Sequence, residues 1–128
     1  MATEKQVTAL GAECGFDPSP RRGFVGLARV REDGYYQRLD IFWWSNRKHA
    51  AAHGIPRAYL VICPALNGWG EVGRWRLPLV DWPSEEQATR PWTDVAGEFK
   101  EVFLPILDAP LHEARLRLAR LDDRYVLT

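Results

Sequence analysis

The stretch FVGLARVREDGYYQRLDIFWW, Phe24 to Trp44, decides the fold. Two runs rich in β-branched and aromatic residues flank Asp33-Gly34, a dipeptide suited to a two-residue hairpin turn. Closing the turn there pairs Glu32 with Tyr35. The register that follows puts Phe24, Gly26, Ala28 and Val30 on one face with Gln37, Leu39, Ile41 and Trp43. Neighbouring strand residues point to opposite faces. Val25, Leu27, Arg29 and Arg31 therefore share the other face with Tyr36, Arg38, Asp40 and Phe42, and Trp44 continues it. The first face is apolar away from the turn, where Gly26 and Ala28 leave room for larger neighbours. A slip of one residue mixes the two sets, which favours this register. Trp43 is thus expected in the core and Trp44 on a mixed aromatic and arginine surface.

Upstream, residues 4–13 suit a short helix, with Thr3 as N-cap, Val7 and Leu10 on one side, and Cys14-Gly15 at its end. DPSPRRG, from Asp17, reads as a loop. Downstream, SNRKHAAAHG is either a helical turn capped by Ser45 and stopped by Gly54 or a polar connection. RAYLVICP is a third strand, apolar on both sides and hence central. ALNGWGEVGRW is a glycine-rich loop, and RWRLPLVDW a fourth strand in which Pro78 suits an edge. From Thr93 the period becomes helical. Val95, Phe99, Val102, Phe103, Ile106 and Leu107 form an apolar stripe that Pro105 kinks or restarts. A last helix from Leu111 to about Leu121 turns Leu111, Ala114, Leu118 and Leu121 inward and Arg115, Arg117, Arg120 and Arg124 largely outward. The predicted architecture is α+β. One domain over residues 1–128 holds an antiparallel sheet of about four strands, begun by the hairpin 24–44 and covered on one face by the C-terminal helices.

The 128 residues suffice for a core without metals or disulfides. Lys+Arg and Asp+Glu both number 17, so no global field draws nucleic acid or an anionic membrane. Lysine occurs only at Lys5, Lys48 and Lys100, which leaves 14 of the 17 basic residues as arginine. A GC-rich bacterial genome produces such a bias, and it also supplies the planar cation that interfaces favour. The N-terminus lacks a signal-peptide pattern, no apolar run is long enough to span a membrane, and two cysteines make no disulfide framework. The expected location is cytoplasmic.

The motifs with chemical meaning each meet a physical objection. GWGEVG, Gly68 to Gly73, matches a dinucleotide fingerprint, but RWRLPL follows it where a helix N-terminus has to receive the pyrophosphate. His49 and His53 have a metal-ligand spacing, yet HAAAH lacks the glutamate of a hydrolytic H-E-x-x-H. Cys63 sits in YLVIC, with no local cation to lower its pKa, and reads as a core thiol; Cys14, at a helix end, also reads as structural. Asp40 with Glu98 and Lys100 has the composition of a metal-dependent nuclease site, but Glu98 and Lys100 fall in a helix, where i and i+2 diverge. No metal, cofactor or catalytic residue is expected.

Six tryptophans remain, five of them at strand ends or in loops: Trp44, Trp69, Trp75, Trp82 and Trp92. They either cover the sheet ends or, with the arginines, form a binding surface, since both residue types dominate hot spots. The leading expectation is a non-catalytic bacterial protein-binding module of immunity, inhibitor or accessory chaperone type. Its interface residues are Val25, Arg29, Arg31, Tyr36, Arg38, Phe42, Trp44, Trp69 and Trp75. A small-ligand protein or enzyme with a pocket near Gly68–Gly73 is the first alternative. Single-stranded nucleic acid stacked on the sheet face is the second, opposed by zero net charge and by Asp40.

Overall fold

The computed structural model describes residues 4–19, 26–31, 33–43, 47–67, 70–71 and 73–127. Helix α1 (Glu4–Glu13) precedes β1 (Asp17–Pro18), β2 (Gly26–Val30) and β3 (Tyr36–Trp43). Helix α2 (Arg47–Ala52) leads to β4 (Ala58–Asn67), β5 (Gly70–Glu71) and β6 (Arg74–Pro78). Then α3 (Trp92–Glu98) runs through a π-helical stretch, Phe99–Phe103, into α4 (Leu104–Leu107). Helix α5 (Leu111–Leu118) and a 3₁₀ turn (Asp123–Tyr125) precede β7 (Val126–Leu127). The fold is α+β. Its strands form one antiparallel sheet in the order β1-β2-β3-β4-β6-β7, with β5 folded back on β4. The strands beyond the expected four, β1, β5 and β7, are two residues each, too short for alternation to reveal. Two of them, β1 and β5, lie in stretches expected to be loops. No helix among the described residues is long and apolar enough to cross a membrane.

The core lies on one face of this sheet. Leu27, Leu39, Ile41, Leu60, Ile62 and Leu77 meet Val7 and Leu10 of α1 and the stripe Val95, Phe99, Phe103 and Leu107. That stripe repeats every four residues, which overshoots an α-helical turn of 3.6. The wider π turn over Phe99–Phe103 keeps the side chains in line. Pro105 follows in the first turn of α4, where its missing N–H is tolerated. Helix α5 packs Ala114 and Leu118 on Ile106 and Ala109.

The hairpin register differs from the expected one by a single residue. Leu27 faces Leu39, Ala28 faces Arg38, Arg29 faces Gln37 and Val30 faces Tyr36. Arg31 N–H donates to the Tyr35 carbonyl at 2.7 Å, and Gly34 N–H donates to the Arg31 carbonyl at 3.0 Å. The loop thus spans three residues. Of Asp33 and Gly34 only the glycine has positive φ, 86°, whereas a type I′ turn requires it at both. A three-residue loop with a left-handed glycine meets the same dipeptide requirement, so Asp-Gly does not distinguish the two turns.

The slip brings Leu27 into the core, moves Gly26, Ala28 and Val30 to the opposite face, and carries Arg29 and Arg31 to the helix side. Two arginines there are tolerated because helix ends present carbonyls without intrahelical donors. The Leu107 carbonyl, at the end of α4, accepts from Gln37 Nε2 at 2.8 Å, Arg29 Nη2 at 3.1 Å and Arg31 Nη1 at 3.3 Å. Arg31 Nη2 reaches the Ala109 carbonyl at 2.7 Å, and Arg29 Nη1 the Cys14 carbonyl beyond α1, also at 2.7 Å. A cation is favourable at the negative end of a helix as well. Trp43 is a further correction. It alternates with Ile41 onto the helix side, but β3 ends there, and the indole is 48% exposed rather than buried. Trp44 lies outside the described residues.

Candidate functional site

The sheet face opposite the core carries Gly26, Ala28 and Val30 of β2, Tyr36, Arg38, Asp40 and Phe42 of β3, Tyr59, Val61 and Cys63 of β4, and Arg74, Arg76 and Pro78 of β6. Gly26 has a specific reason to be glycine. A Cβ there would overlap the Arg38 guanidinium and stand 2.6 Å from Asp40 Oδ1 and 2.9 Å from the Ser19 carbonyl. Glycine therefore opens the slot in which buried Arg38 pairs with Asp40 at 3.3 Å and donates to the Ser19 carbonyl at 3.0 Å. Nearer the hairpin tip, the cross-strand partners Val30 and Tyr36 are 61% and 52% exposed. At the other end Phe42 stacks on Tyr59, ring centres 5.2 Å apart.

The residues expected to form an interface are only partly brought together. Tyr36, Arg38 and Phe42 share this face, Arg38 being buried in it. Arg29 and Arg31 do not, because their guanidiniums bind the ends of α1 and α4. Trp75 also faces the helices, half-buried against both apolar clusters. Val25, Trp44 and Trp69 lie outside the described residues, as do Gly68 and Val72 of the glycine-rich segment. Within that segment β5 pairs with β4 and β6 follows. A strand, not a helix N-terminus, comes after the glycines.

The other chemical candidates do not converge. His53 is exposed, and the His49 side chain lies outside the described residues. No group of three or more His, Cys, Asp or Glu among the described residues is placed to hold a metal. Cys63 is buried; Cys14 is half-buried, and burial pushes its thiol pKa up despite Lys100 and Arg29 nearby. Glu98 and Lys100 point to different partners. Glu98 is held by Arg90 at 2.6 Å and Arg124 at 2.7 Å and accepts from the Tyr125 hydroxyl, while Lys100 pairs with Glu13 at 3.0 Å. Asp40 is engaged by Arg38 instead.

Two clefts lined by described residues bear on these candidates. One of about 500 Å³ lies between the hairpin tip and the α4–α5 turn, and its arginines, Arg29 and Arg31, are the pair already bound to helix-end carbonyls. A smaller one of about 180 Å³ runs past Trp82, Arg90 and Glu98. The residues that sequence reasoning missed stand nearby on the open face. Arg76 is 9% exposed and lies over the Trp82 ring at 4.6 Å, and Tyr59 is 6% exposed. Burial pulls the Arg76 guanidinium pKa down. It pushes the Tyr59 hydroxyl up, against the opposing pull of Arg76 and Arg74. The alternation in RWRLPL separates Arg74 and Arg76 from Trp75 and Leu77, and that was the available signal. No protein-family model, no curated protein and no solved structure matches this chain.

Proposed function

We propose that the protein is a non-catalytic binding module, of the immunity, inhibitor or accessory type, whose partner protein docks on the open face of the sheet. The observation that carries this reading is the exposed pair Val30 and Tyr36, opposite one another at the hairpin tip. Single exposed apolar side chains are ordinary. Two in register on a strand pair make a local apolar patch with a tyrosine of hot-spot type in it. Arg29 and Arg31 drop out of this interface because helix ends already occupy them. Zero formal charge and the buried Arg38–Asp40 pair favour a protein over nucleic acid.

Replacing Tyr36 with p-benzoylphenylalanine and irradiating cells of the native host tests the reading. Leu116, exposed on α5, is the control position. A discrete protein adduct is expected from position 36 alone, and it should disappear when Val30→Asp is added. Adducts of the same pattern from both positions, or none, would refute the proposal. Crosslinks to RNA or single-stranded DNA, with retention that falls steeply with salt, would replace it with the nucleic-acid reading.

A further inference from the structure

We propose that Arg76 and Tyr59 form an oxyanion-binding site on the open face, taking a carboxylate or a phosphate group. The reason is a largely buried arginine whose forked end opens at the surface with no anion beside it among the described residues. Arginine is almost never buried without a partner, because desolvating its charge is costly unless an anion or enough acceptors replace the water. The other arginines withdrawn from solvent obey this. Arg38 has Asp40, Arg31 has Asp33 and two carbonyls, and Arg90 has Glu98. Arg76 has no carboxylate at ion-pair distance among the described residues. Among the described residues its only hydrogen bond runs from Nε to the Arg124 carbonyl at 2.9 Å, so both Nη groups face solvent without a protein acceptor.

A second donor stands beside it, the solvent-reaching hydroxyl of a mostly buried residue. The Tyr59 hydroxyl has no hydrogen-bond partner among the described residues, although the residue is 94% buried, being 6% exposed. Tyr59 is opposite Pro78, and Arg76 is opposite Val61, so the two are diagonal neighbours on adjacent strands of one face. Long side chains meet across that diagonal. Each is held in place: Phe42 stacks on Tyr59, Trp82 backs the guanidinium, and the Nε bond fixes its plane. The Nη pair is the forked donor that matches two oxygens of a carboxylate or phosphate, and the phenol supplies a third donor. Arg74, two residues along the same face, adds positive charge. The site does not depend on the partner protein proposed above, since a small anion satisfies it.

The test uses the whole ¹⁵N-labelled protein and the arginine Nε–Hε and tryptophan indole resonances. Sodium phosphate, sodium acetate and sodium chloride are titrated separately at constant ionic strength. Arg76 and Trp82 signals should shift saturably with phosphate or acetate and not with chloride, and the tighter of the two names the group. Tyr59→Phe removes one oxygen and should weaken that binding roughly fivefold, the worth of one hydrogen bond. Arg76→Met should abolish it. No saturable shift, equal shifts with chloride, or an affinity unchanged by Tyr59→Phe would overturn the proposal, whether or not the Arg76 variant folds.

Discussion

Replacing Arg29 should unfold this protein more readily than replacing any surface arginine. Arg29→Met keeps an apolar stem but removes the Nε bond to Gln37 Oε1 at 2.8 Å, the Nη1 bond to the Cys14 carbonyl and the Nη2 bond to the Leu107 carbonyl. The guanidinium also lies 4.8 Å from the centre of the Phe16 ring. Three hydrogen bonds at about 1 kcal/mol net each, with the cation–π contact offset by the thioether's own burial, give a loss of about 3 kcal/mol. The Asp108 contact adds little because that carboxylate is exposed. Arg29→Lys should lose about 2 kcal/mol, since one ammonium cannot span acceptors that a planar fork reaches together. Urea unfolding measures this. With a slope of about 2 kcal/mol per molar, the midpoint of Arg29→Met should fall by about 1.5 M without a change in slope. A shift under about 0.3 M would mean that Arg29 faces water. The bracing of helix ends, and the register built on it, would then be wrong.

Gly26→Ala should lose about 1–3 kcal/mol, because its Cβ displaces the buried Arg38 guanidinium, and thermal melting reads the loss. Trp43→Ala should lose only about 1 kcal/mol, against about 3–5 kcal/mol for Phe103→Ala in the same denaturation assay. Equal losses would put Trp43 back in the core. Burial, the largest influence on both, raises the hydroxyl pKa of Tyr59 and Tyr125 in the folded state. Their contribution is therefore fully present below the free tyrosine value of about 10 and is lost as pH rises through the folded value. Ultraviolet titration should show two phenols ionising late, with stability falling over the same alkaline window.

The central third strand was legible because it is a continuous apolar run, and the hairpin and the C-terminal apolar stripe because each keeps one period for five residues or more. The faces of β3 were legible for the same reason. The faces of β2 were not, since Asp-Gly serves two loop lengths and the arbiter, the Leu107 carbonyl, comes from the far end of the chain. Hydrophobic patterning treats Arg29 and Arg31 as surface residues; only the geometry of two helix ends makes the helix side acceptable for them. Trp43 shows another limit. Alternation assigns a side but not where the cover stops. At the candidate site Tyr36 and Phe42 were found from alternation alone, while Tyr59 was hidden in a strand read as apolar on both sides. Arg76 stands out only once every other buried arginine has been given its anion or its carbonyls.

The Leu107 carbonyl joins residues 70 to 78 positions apart in the chain. During synthesis the hairpin is therefore complete long before the group that selects its register. Until then nothing holds Arg29 and Arg31 on the helix side, and both pairings close over Asp33-Gly34. The nascent strands should then exchange between them until the α4 terminus arrives. Loop closure over that span is slow to be rewarded, so the N-terminal half should wait for it with its register unfixed. A ribosome pausing before residue 107 would prolong that state, and with it the time in which a neighbouring nascent chain can pair with the same strands.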